Sequence, residues 1–213
     1  MNTIVKIENL SKIIKNKVIL KDINLSLEKG KIYGIIGRNG SGKSMLFKTI
    51  AGLVIPTSGK IEVFGDVIGK NGTFPKDFGA LIEYPGFLPQ YTGFRNLKIL
   101  ASIKNIISHE DIKKAMTLVG LDYNEKKAVK KYSLGMKQRL GIAQAIMEKP
   151  KFIILDEPMN GLDKSGVDDI RNLLKLLKDK GVTILLASHN SDDINILCED
   201  VYEMDNGYLN KLD

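Results

Sequence analysis

Two stretches of the chain carry side chains suited to phosphate chemistry. Residues 37–44, GRNGSGKS, match the pattern G-x-x-x-x-G-K-[ST] in full. Glycines at these positions let the backbone curl so that successive N–H groups point into one concavity, which suits anionic oxygens. Lys43 would reach the β- and γ-phosphates of a nucleoside triphosphate, and the Ser44 hydroxyl would hold Mg²⁺. A glycine-rich turn beside a surface lysine is the alternative, and the flanking sequence argues against it.

The second stretch is a pair of adjacent carboxylates, Asp156 and Glu157, which directly follows the apolar run FIIL. In open parallel sheets, ligands lie at the carboxyl ends of the strands. Asp156 suits the coordination shell of Mg²⁺, and Glu157 is placed to activate a water for attack on the γ-phosphate. A strand that merely ends in solvated acids is the alternative, and the phosphate pattern elsewhere in the chain favours the catalytic interpretation.

These groups need strands and a helix to position them. The apolar run 32–36 predicts a buried strand, and residues 44–51 predict the first turns of a helix. Strand, glycine-rich turn and helix together form the setting in which the phosphate pattern is meaningful. Further apolar runs at 78–82, 152–155 and 182–187 alternate with helical patterns. The sequence therefore predicts an α/β fold around a mainly parallel sheet.

Two other regions depart from this alternation. Residues 4–8 and 23–27 alternate between polar and apolar types, which predicts short, half-buried strands in an antiparallel part of the fold. Residues 84–135 combine an aromatic-rich loop with two helical patterns, which predicts an all-helical insertion. Ser108 is placed to cap the second of these helices, but Asp111, three residues later, is not the Glu or Gln of a full capping box.

The loop at the start of the insertion is rich in large apolar side chains, with Tyr84, Phe87, Leu88 and Tyr91 close together among prolines and glycines. If exposed, these side chains would suit the pocket of a partner protein. If buried, they would pack the insertion against the core. Both interpretations remain open from the sequence.

The composition limits the classes of function. At 213 residues, with 43% hydrophobic and 27% charged residues, the chain is expected to form one large domain or one domain with a subdomain. The sequence has neither an apolar run of membrane-spanning length nor the apolar region of a signal peptide, and it has a single cysteine, Cys198. These features predict a cytoplasmic protein. The formal charge of +7 comes from scattered lysines without a nucleic-acid-binding pattern. We therefore expect a solvated surface first, membrane proximity second, and no nucleic-acid partner.

Five motifs in order give the chain a family resemblance. GRNGSGKS is followed by YSLGMKQR at 132–139, FIILDEP at 152–158, NGLD at 160–163 and ASH at 187–189. In this order they resemble the Walker A, signature, Walker B, D-loop and switch-histidine motifs of an ABC-transporter ATP-binding subunit.

This resemblance covers nearly the whole chain. It implies a P-loop NTPase (RecA-like) core with an antiparallel β subdomain and an inserted α-helical subdomain at about 84–135, all within one nucleotide-binding domain, 1–213.

The resemblance also implies a composite site. Two subunits would form an ATP-dependent head-to-tail dimer, either a homodimer or a heterodimer with a related ATPase, with two ATP molecules between them. Ser133 and Gly135 would contact the γ-phosphate bound by the partner, and His189 would sense the γ-phosphate in its own subunit. The implied catalytic residues are Lys43, Glu157 and His189. The residues assigned to nucleotide contact are Gly37, Arg38, Asn39, Gly40, Ser41, Gly42, Lys43, Ser44, Met45, Ile14, Ser133 and Gly135.

Several positions depart from the family pattern. Leu134 and Met136 replace a glycine and a glutamine of the signature, and Glu83 takes the place of the glutamine that senses Mg²⁺ and the attacking water. Together with Ser44 and Asp156 from the two motifs described above, Glu83 completes the set of implied metal ligands. Ile14 stands where an aromatic ring normally stacks on adenine. An aliphatic side chain cannot stack in this way, so we expect weaker discrimination between ATP and GTP than is usual in the family.

The acidic residue at position 83 together with SLGMKQRLGIA resembles the ATPases of bacterial exporters that protect against peptide antibiotics of the bacitracin and lantibiotic kind. The resemblance implies an integral-membrane permease as partner and a location at the cytoplasmic face of the membrane. General multidrug or lipid export is an alternative for the substrate. A soluble ABC-type ATPase acting on nucleic acid or the ribosome, or a small P-loop kinase, is an alternative class.

Overall fold

The computed structural model describes residues 2–69 and 73–212, in which the strands form two sheets. The strands are β1 (Thr3–Ile14), β2 (Lys17–Glu28), β3 (Ile32–Ile36), β4 (Ser58–Val63), β5 (Asp66–Val67), β6 (Phe78–Leu81), β7 (Phe152–Asp156), β8 (Thr183–Ala187), β9 (Asp200–Asp205) and β10 (Tyr208–Lys211). The α-helices are α1 (Lys43–Ile50), α2 (Gly93–Lys104), α3 (His109–Leu118), α4 (Leu134–Ile146), α5 (Lys164–Asp179) and α6 (Ser191–Leu197).

The central sheet has the strand order β10-β9-β3-β8-β7-β6. All neighbouring strands in it run parallel except β10, which pairs antiparallel with β9. Strands β7 and β8 are buried along their whole length, which is why they appear in the sequence as continuous apolar runs. The predicted α/β fold with a mainly parallel sheet is confirmed.

The second sheet is antiparallel and has the order β2-β1-β4-β5. Its two long strands contain 12 residues each, more than twice the length that the alternating pattern predicted. The pairing register shifts between Ile7 and Leu10, and Asn9 has φ 48°. An irregularity of this kind interrupts the alternation of buried and exposed side chains without ending the strand. For this reason the sequence pattern detected only part of each strand.

The predicted helical insertion contains α2, α3 and a short 3₁₀ turn at Val129–Lys131, and it ends where α4 begins. The expectation of an incomplete cap at α3 was wrong. Asp111 donates its backbone N–H to Ser108 Oγ (3.2 Å), and Ser108 donates its backbone N–H to Asp111 Oδ2 (3.0 Å). The shorter aspartate thus performs the reciprocal role usually assigned to glutamate. Helix α6 was not predicted, because seven residues are too few for a clear apolar period.

Two apolar clusters pack on opposite faces of the central sheet. Ile153 and Leu155 of β7 face the cluster shared with helices α2 to α6, whereas Phe152 and Ile154 face the cluster shared with α1 and the antiparallel sheet. Alternate side chains of one strand therefore anchor both layers. Because β3, β7 and β8 run parallel, the loops that follow them emerge at one edge of the sheet.

No helix in the described part of the chain is both long enough and apolar enough to cross a bilayer.

Candidate active site

Two glycines, Gly37 and Gly42, shape the loop between β3 and α1. Gly37 has φ 145°, and a Cβ atom at this position would lie 2.2 Å from the carbonyl oxygen of Met204 on β9. Gly42 has φ 121° and directly precedes α1. Residues with a Cβ atom rarely adopt either φ value, whereas glycine adopts both readily. The loop can therefore curl tightly against the sheet edge before the helix starts.

The curled loop presents donors without partners. Gly42, the N-cap of α1, provides no side-chain hydrogen bond to the first turn. Ser41 Oγ is buried, and it has no hydrogen-bond partner within 2–69 and 73–212. Unpaired donors at a helix N-terminus form a site for an anion, reinforced by the helix dipole. The loop therefore suits a phosphate group.

Lys43 and Ser44 extend from the first turn of α1 in different directions. Lys43 Nζ donates to the carbonyl oxygens of Gly37 (2.6 Å) and Arg38 (3.2 Å), so the ammonium group closes over the loop. Ser44 Oγ donates to Asp156 Oδ2 at 2.7 Å. The two motifs that the sequence separates by more than a hundred residues thus meet through one hydrogen bond.

Glu157 follows Asp156 and turns towards a different partner. Glu157 Oε2 accepts from the backbone N–H of His189 at 3.3 Å and lies 2.7 Å from His189 Nδ1. The side chain of His189 is 68% exposed, whereas that of Glu157 is 21% exposed. The carboxylate is therefore the more buried partner of this pair. A carboxylate and an imidazole that could orient it therefore lie within hydrogen-bonding distance of each other.

One cavity of about 480 Å³ brings most of these residues together. Its size is that of a site for a small-molecule ligand. The lining residues are Ile19, Asn39, Gly40, Gly42, Lys43, Ser44, Met45, Lys48, Glu83, Tyr84, Gln138, Asp156, Glu157 and Asn160. Gly37, Arg38 and His189 line a second cavity of about 610 Å³.

The structure places Glu83 at this cavity through an ion pair. Glu83 follows β6 with φ 58°, and its Oε1 accepts from Lys48 Nζ at 2.6 Å. Both side chains line the cavity that holds Asp156 and Glu157. The acidic residue is therefore present at the site, and it has a cationic partner that the sequence did not reveal.

The signature residues lie elsewhere. Ser133 caps α4 by accepting the backbone N–H of Met136 at 3.1 Å. Gly135 approaches the D-loop so closely that a Cβ atom would lie 2.8 Å from Gly161 O. Both residues line a separate cavity of about 410 Å³ together with Asp163. A single chain does not bring the signature and the phosphate loop into one cavity.

Ile14 is not among the residues that line any of these three cavities. It ends β1 beside Lys17 in the hairpin and is 39% exposed. Ile19, on the paired strand, lines the cavity instead. The sequence had singled out Ile14 alone, because it stands at the position of the family aromatic.

Sequence reasoning also missed Lys48 and Gln138 as residues of the site. Lys48 lies four residues after Ser44 in α1, and this spacing puts both on one helix face. Gln138 Nε2 donates to the backbone oxygen of Glu157 at 2.9 Å. The helical spacing was a usable signal for Lys48. No local pattern connected Gln138 to Glu157.

Comparison with known proteins gives concordant results. The pattern of the family described as "ABC transporter" matches residues 20–160. An uncharacterized ABC transporter ATP-binding protein of Bacillus subtilis, YybJ, is 46% identical over 205 residues, which cover 96% of this chain and 94% of that protein. The bacitracin transport ATP-binding protein BcrA of Enterococcus faecalis is 42% identical, over 98% of this chain and 68% of the relative. The predicted family resemblance is confirmed.

Solved structures agree on the fold. The ATP-binding subunit of an ABC transporter superimposes with a TM-score of 0.87 at 26% identity, covering 99% of this chain and 90% of the other. A dimeric ATP-binding cassette bound to ADP and Pi gives a TM-score of 0.86 at 22% identity, covering 98% of this chain and 99% of the other. The likeness to the second structure supports the fold alone.

Proposed function

Because the chain belongs to the ABC transporter family, as an ATP-binding subunit with ATP hydrolase activity, we propose that residues 37–45 bind the triphosphate of ATP beside Asp156 and Glu157. The hydrogen bond of 2.7 Å between Ser44 Oγ and Asp156 Oδ2 carries this proposal. It joins the phosphate loop to the carboxylates at the end of β7, so nucleotide binding and catalysis share one cavity.

The side chains in this cavity have distinct roles. The loop N–H groups and the ammonium group of Lys43 stabilise negative charge on the β- and γ-phosphates. Ser44 and Asp156 offer the hard oxygen ligands that Mg²⁺ prefers, and Glu83 supplies a further oxygen at the same cavity. Mg²⁺, when bound with the nucleotide, would supply positive charge that neutralises the phosphates.

Glu157 acts as the general base that removes a proton from the attacking water. His189 orients the carboxylate through the 2.7 Å contact of Nδ1 with Glu157 Oε2. Its location beside Gly37 and Arg38 also lets it respond to the terminal phosphate. Catalysis then depends on position and charge, as expected for phosphoryl transfer.

The complete site requires a second subunit. Ser133 and Gly135 lie at the N-terminus of α4, where a helix dipole favours phosphate, but they line a cavity apart from the phosphate loop. A head-to-tail dimer would place this cavity of one subunit over the phosphate loop of the other. Closure would leave each ATP between two subunits.

The helical region at about 84–135 is the proposed subdomain for contact with a membrane permease. Tyr84 is 84% exposed and Leu88 is 42% exposed. Phe87 packs partly against the core, and Arg95 lies 4.3 Å above the ring of Tyr91. The exposed members of the aromatic loop thus provide the docking surface, whereas Phe87 packs against the core.

The transported compound is proposed from the relatives. Proteins named for bacitracin and lantibiotic transport are 42% and 38% identical to the chain. We therefore propose that the subunit works at the cytoplasmic face of the membrane and powers export of peptide antibiotics or similar compounds. General multidrug or lipid export is the alternative substrate class.

The proposal is tested by phosphate release and by co-purification. The purified chain should hydrolyse ATP in the presence of Mg²⁺, and Lys43→Ala should reduce the rate at least about 100-fold because charge stabilisation is lost. Lys175→Ala, which alters an exposed lysine of α5, is the matched control.

Comparable rates of hydrolysis with ATP and GTP would support weak base selectivity, and a strict preference for ATP would contradict it.

When the chain is expressed in cells and purified, a multi-spanning membrane protein should co-purify with it. Leu88→Asp should weaken that association. Co-purification with ribosomes or nucleic acid instead would favour the soluble class of ABC ATPase.

A further inference from the structure

The ion pair between Lys48 and Glu83 joins two elements at the nucleotide cavity. Lys48 Nζ lies 2.6 Å from Glu83 Oε1, and the side chains are 30% and 55% exposed. Lys48 comes from the last turn of α1, and Glu83 comes from the residues that follow β6. Both line the cavity proposed for the triphosphate.

The charges in this cavity make an extra carboxylate costly for ATP binding. Glu83, Asp156 and Glu157 place three carboxylates among the lining residues. Lys43 and Lys48 are the two lysines that line the same cavity, and Lys43 Nζ already contacts the loop carbonyls. An uncompensated Glu83 would repel the phosphates, because its carboxylate and the triphosphate would carry like charges in one cavity.

We propose that Lys48 is a positioning residue that neutralises Glu83 and holds its carboxylate at the edge of the nucleotide cavity. This proposal rests on the proposed function, because it concerns the binding of ATP with Mg²⁺ at that site. Lys48 thereby allows an acid to occupy this position without lowering the affinity for the triphosphate.

The backbone geometry supports this role. Lys48 lies one helical turn beyond Ser44 on the same face of α1, so it points along the wall that carries the phosphate loop. Glu83 has φ 58°, which turns the chain directly after β6. Helix α1 and strand β6 both contribute to the apolar cluster under the cavity. The two ends of the ion pair are therefore held by packed elements.

Lys48 could also have other roles, and these predict different effects of its removal on the binding of MgATP. If Lys48 competed with the metal for Glu83, removing the lysine would free the carboxylate and improve binding of MgATP. If Lys48 instead contacted phosphate directly, its removal would weaken binding whether or not position 83 carried a charge. Measurements with single and double variants separate these roles.

The experiment uses steady-state ATP hydrolysis by the full chain. Lys48→Gln should raise the KM for MgATP by about tenfold and change kcat by less than about threefold, because a binding interaction is lost while the reacting groups remain. Lys48→Arg should retain a KM within about twofold of the wild type. In a Glu83→Gln background, Lys48→Gln should change KM by less than about twofold.

Controls exclude a general effect of breaking an ion pair. Lys104→Gln breaks the pair between Lys104 and Glu148, which has the same 2.6 Å separation but lies away from the cavity. It should leave KM unchanged. Thermal unfolding should show similar midpoints for all variants, because partly exposed ion pairs contribute little to stability.

An unchanged or lower KM in Lys48→Gln would overturn the proposal, and so would an equal rise in both backgrounds. If the wild type showed no ATP hydrolysis, the proposed function itself would fail. An active wild type with an unaffected Lys48→Gln variant would refute only the role of Lys48.

Discussion

Glu157 occupies a backbone conformation that few side chains adopt. Its φ is 52°, and such left-handed residues are kept only where the surroundings hold them. The Glu157 N–H donates to Ala187 O at 3.0 Å, and Gln138 Nε2 donates to Glu157 O at 2.9 Å. These two bonds turn the carboxylate out of the line of β7 towards His189. This turn therefore gives the two adjacent carboxylates different partners, Ser44 for Asp156 and His189 for Glu157.

Glu157→Gln should lower kcat by about 100- to 10,000-fold, because an amide cannot accept the proton of water in the transition state. ATP should still bind, since the phosphate loop is unaltered. Phosphate release together with equilibrium binding of a fluorescent ATP analogue measures both effects.

Glu110→Gln, which alters an exposed acid of α3, is the control for Glu157→Gln and should retain full activity. Turnover at the wild-type rate in Glu157→Gln would remove this residue from the role of base.

At the level of elements, α3 shows how short-range contacts define a helix start. Ser108 and Asp111 exchange hydrogen bonds at the N-terminus, and Lys149, which follows α4, lies 2.7 Å from Asp111 Oδ1. The contacts with Lys149 and Ser108 hold the pKa of Asp111 well below its ordinary value. The cap thus links the helical insertion to the end of α4.

The element-level prediction follows from these contacts. Asp111→Ala should lower the midpoint of thermal unfolding by about 2–4 °C, because both the cap and the ion pair are lost. Asp111→Asn should have a smaller effect, since an amide oxygen can still accept the N–H of Ser108.

Lowering the pH should weaken the contribution of Asp111 to the stability of the folded protein. A lowered folded-state pKa stabilises the protein above the unfolded pKa of about 3.9, and the stabilisation is lost as the pH falls below that value. The difference between wild type and Asp111→Asn should therefore shrink below about pH 4. Calorimetry at several pH values measures it, with Asp179→Asn on α5 as the control. A difference that grew with acid would contradict the assignment.

At the level of the whole molecule, the proposed composite site draws on two surfaces of the chain. The phosphate loop and Glu157 line one cavity, and Ser133 lines another beside the D-loop. Gly135 contacts Gly161, so the second surface is itself a packed unit. A dimer that joined these surfaces would couple ATP binding to subunit movement.

The molecular prediction is complementation between two inactive chains. Lys43→Ala disables the phosphate loop, and Ser133→Arg disables the signature. Each variant alone should lose activity, but their mixture should regain up to about a quarter of the wild-type rate, because one site of the mixed head-to-tail dimer has both intact halves. ATP hydrolysis at several protein concentrations measures this. Wild-type activity per subunit that did not depend on protein concentration would argue against the dimer.

The phosphate loop was determined by the sequence itself, because its glycines, Lys43 and Ser44 are contiguous and their conformations are local. The acids at 156–157 were also predictable, since a buried parallel strand leads directly to the ligand-binding edge. The strand lengths of β1 and β2 were not, because irregular pairing interrupts the alternation.

Only the tertiary structure decided which distant groups meet. The pairs Ser44 with Asp156, Glu157 with His189, and Lys48 with Glu83 join separate elements. Their contacts depend on side-chain directions that arise when helices and strands pack on a common core. The same packing leaves Ser133 in a cavity apart from the phosphate loop. It also places Ile19 rather than Ile14 at the cavity proposed for the nucleotide. Ile14 pairs with Lys17 next to the turn of the hairpin, whereas Ile19 lies further along β2.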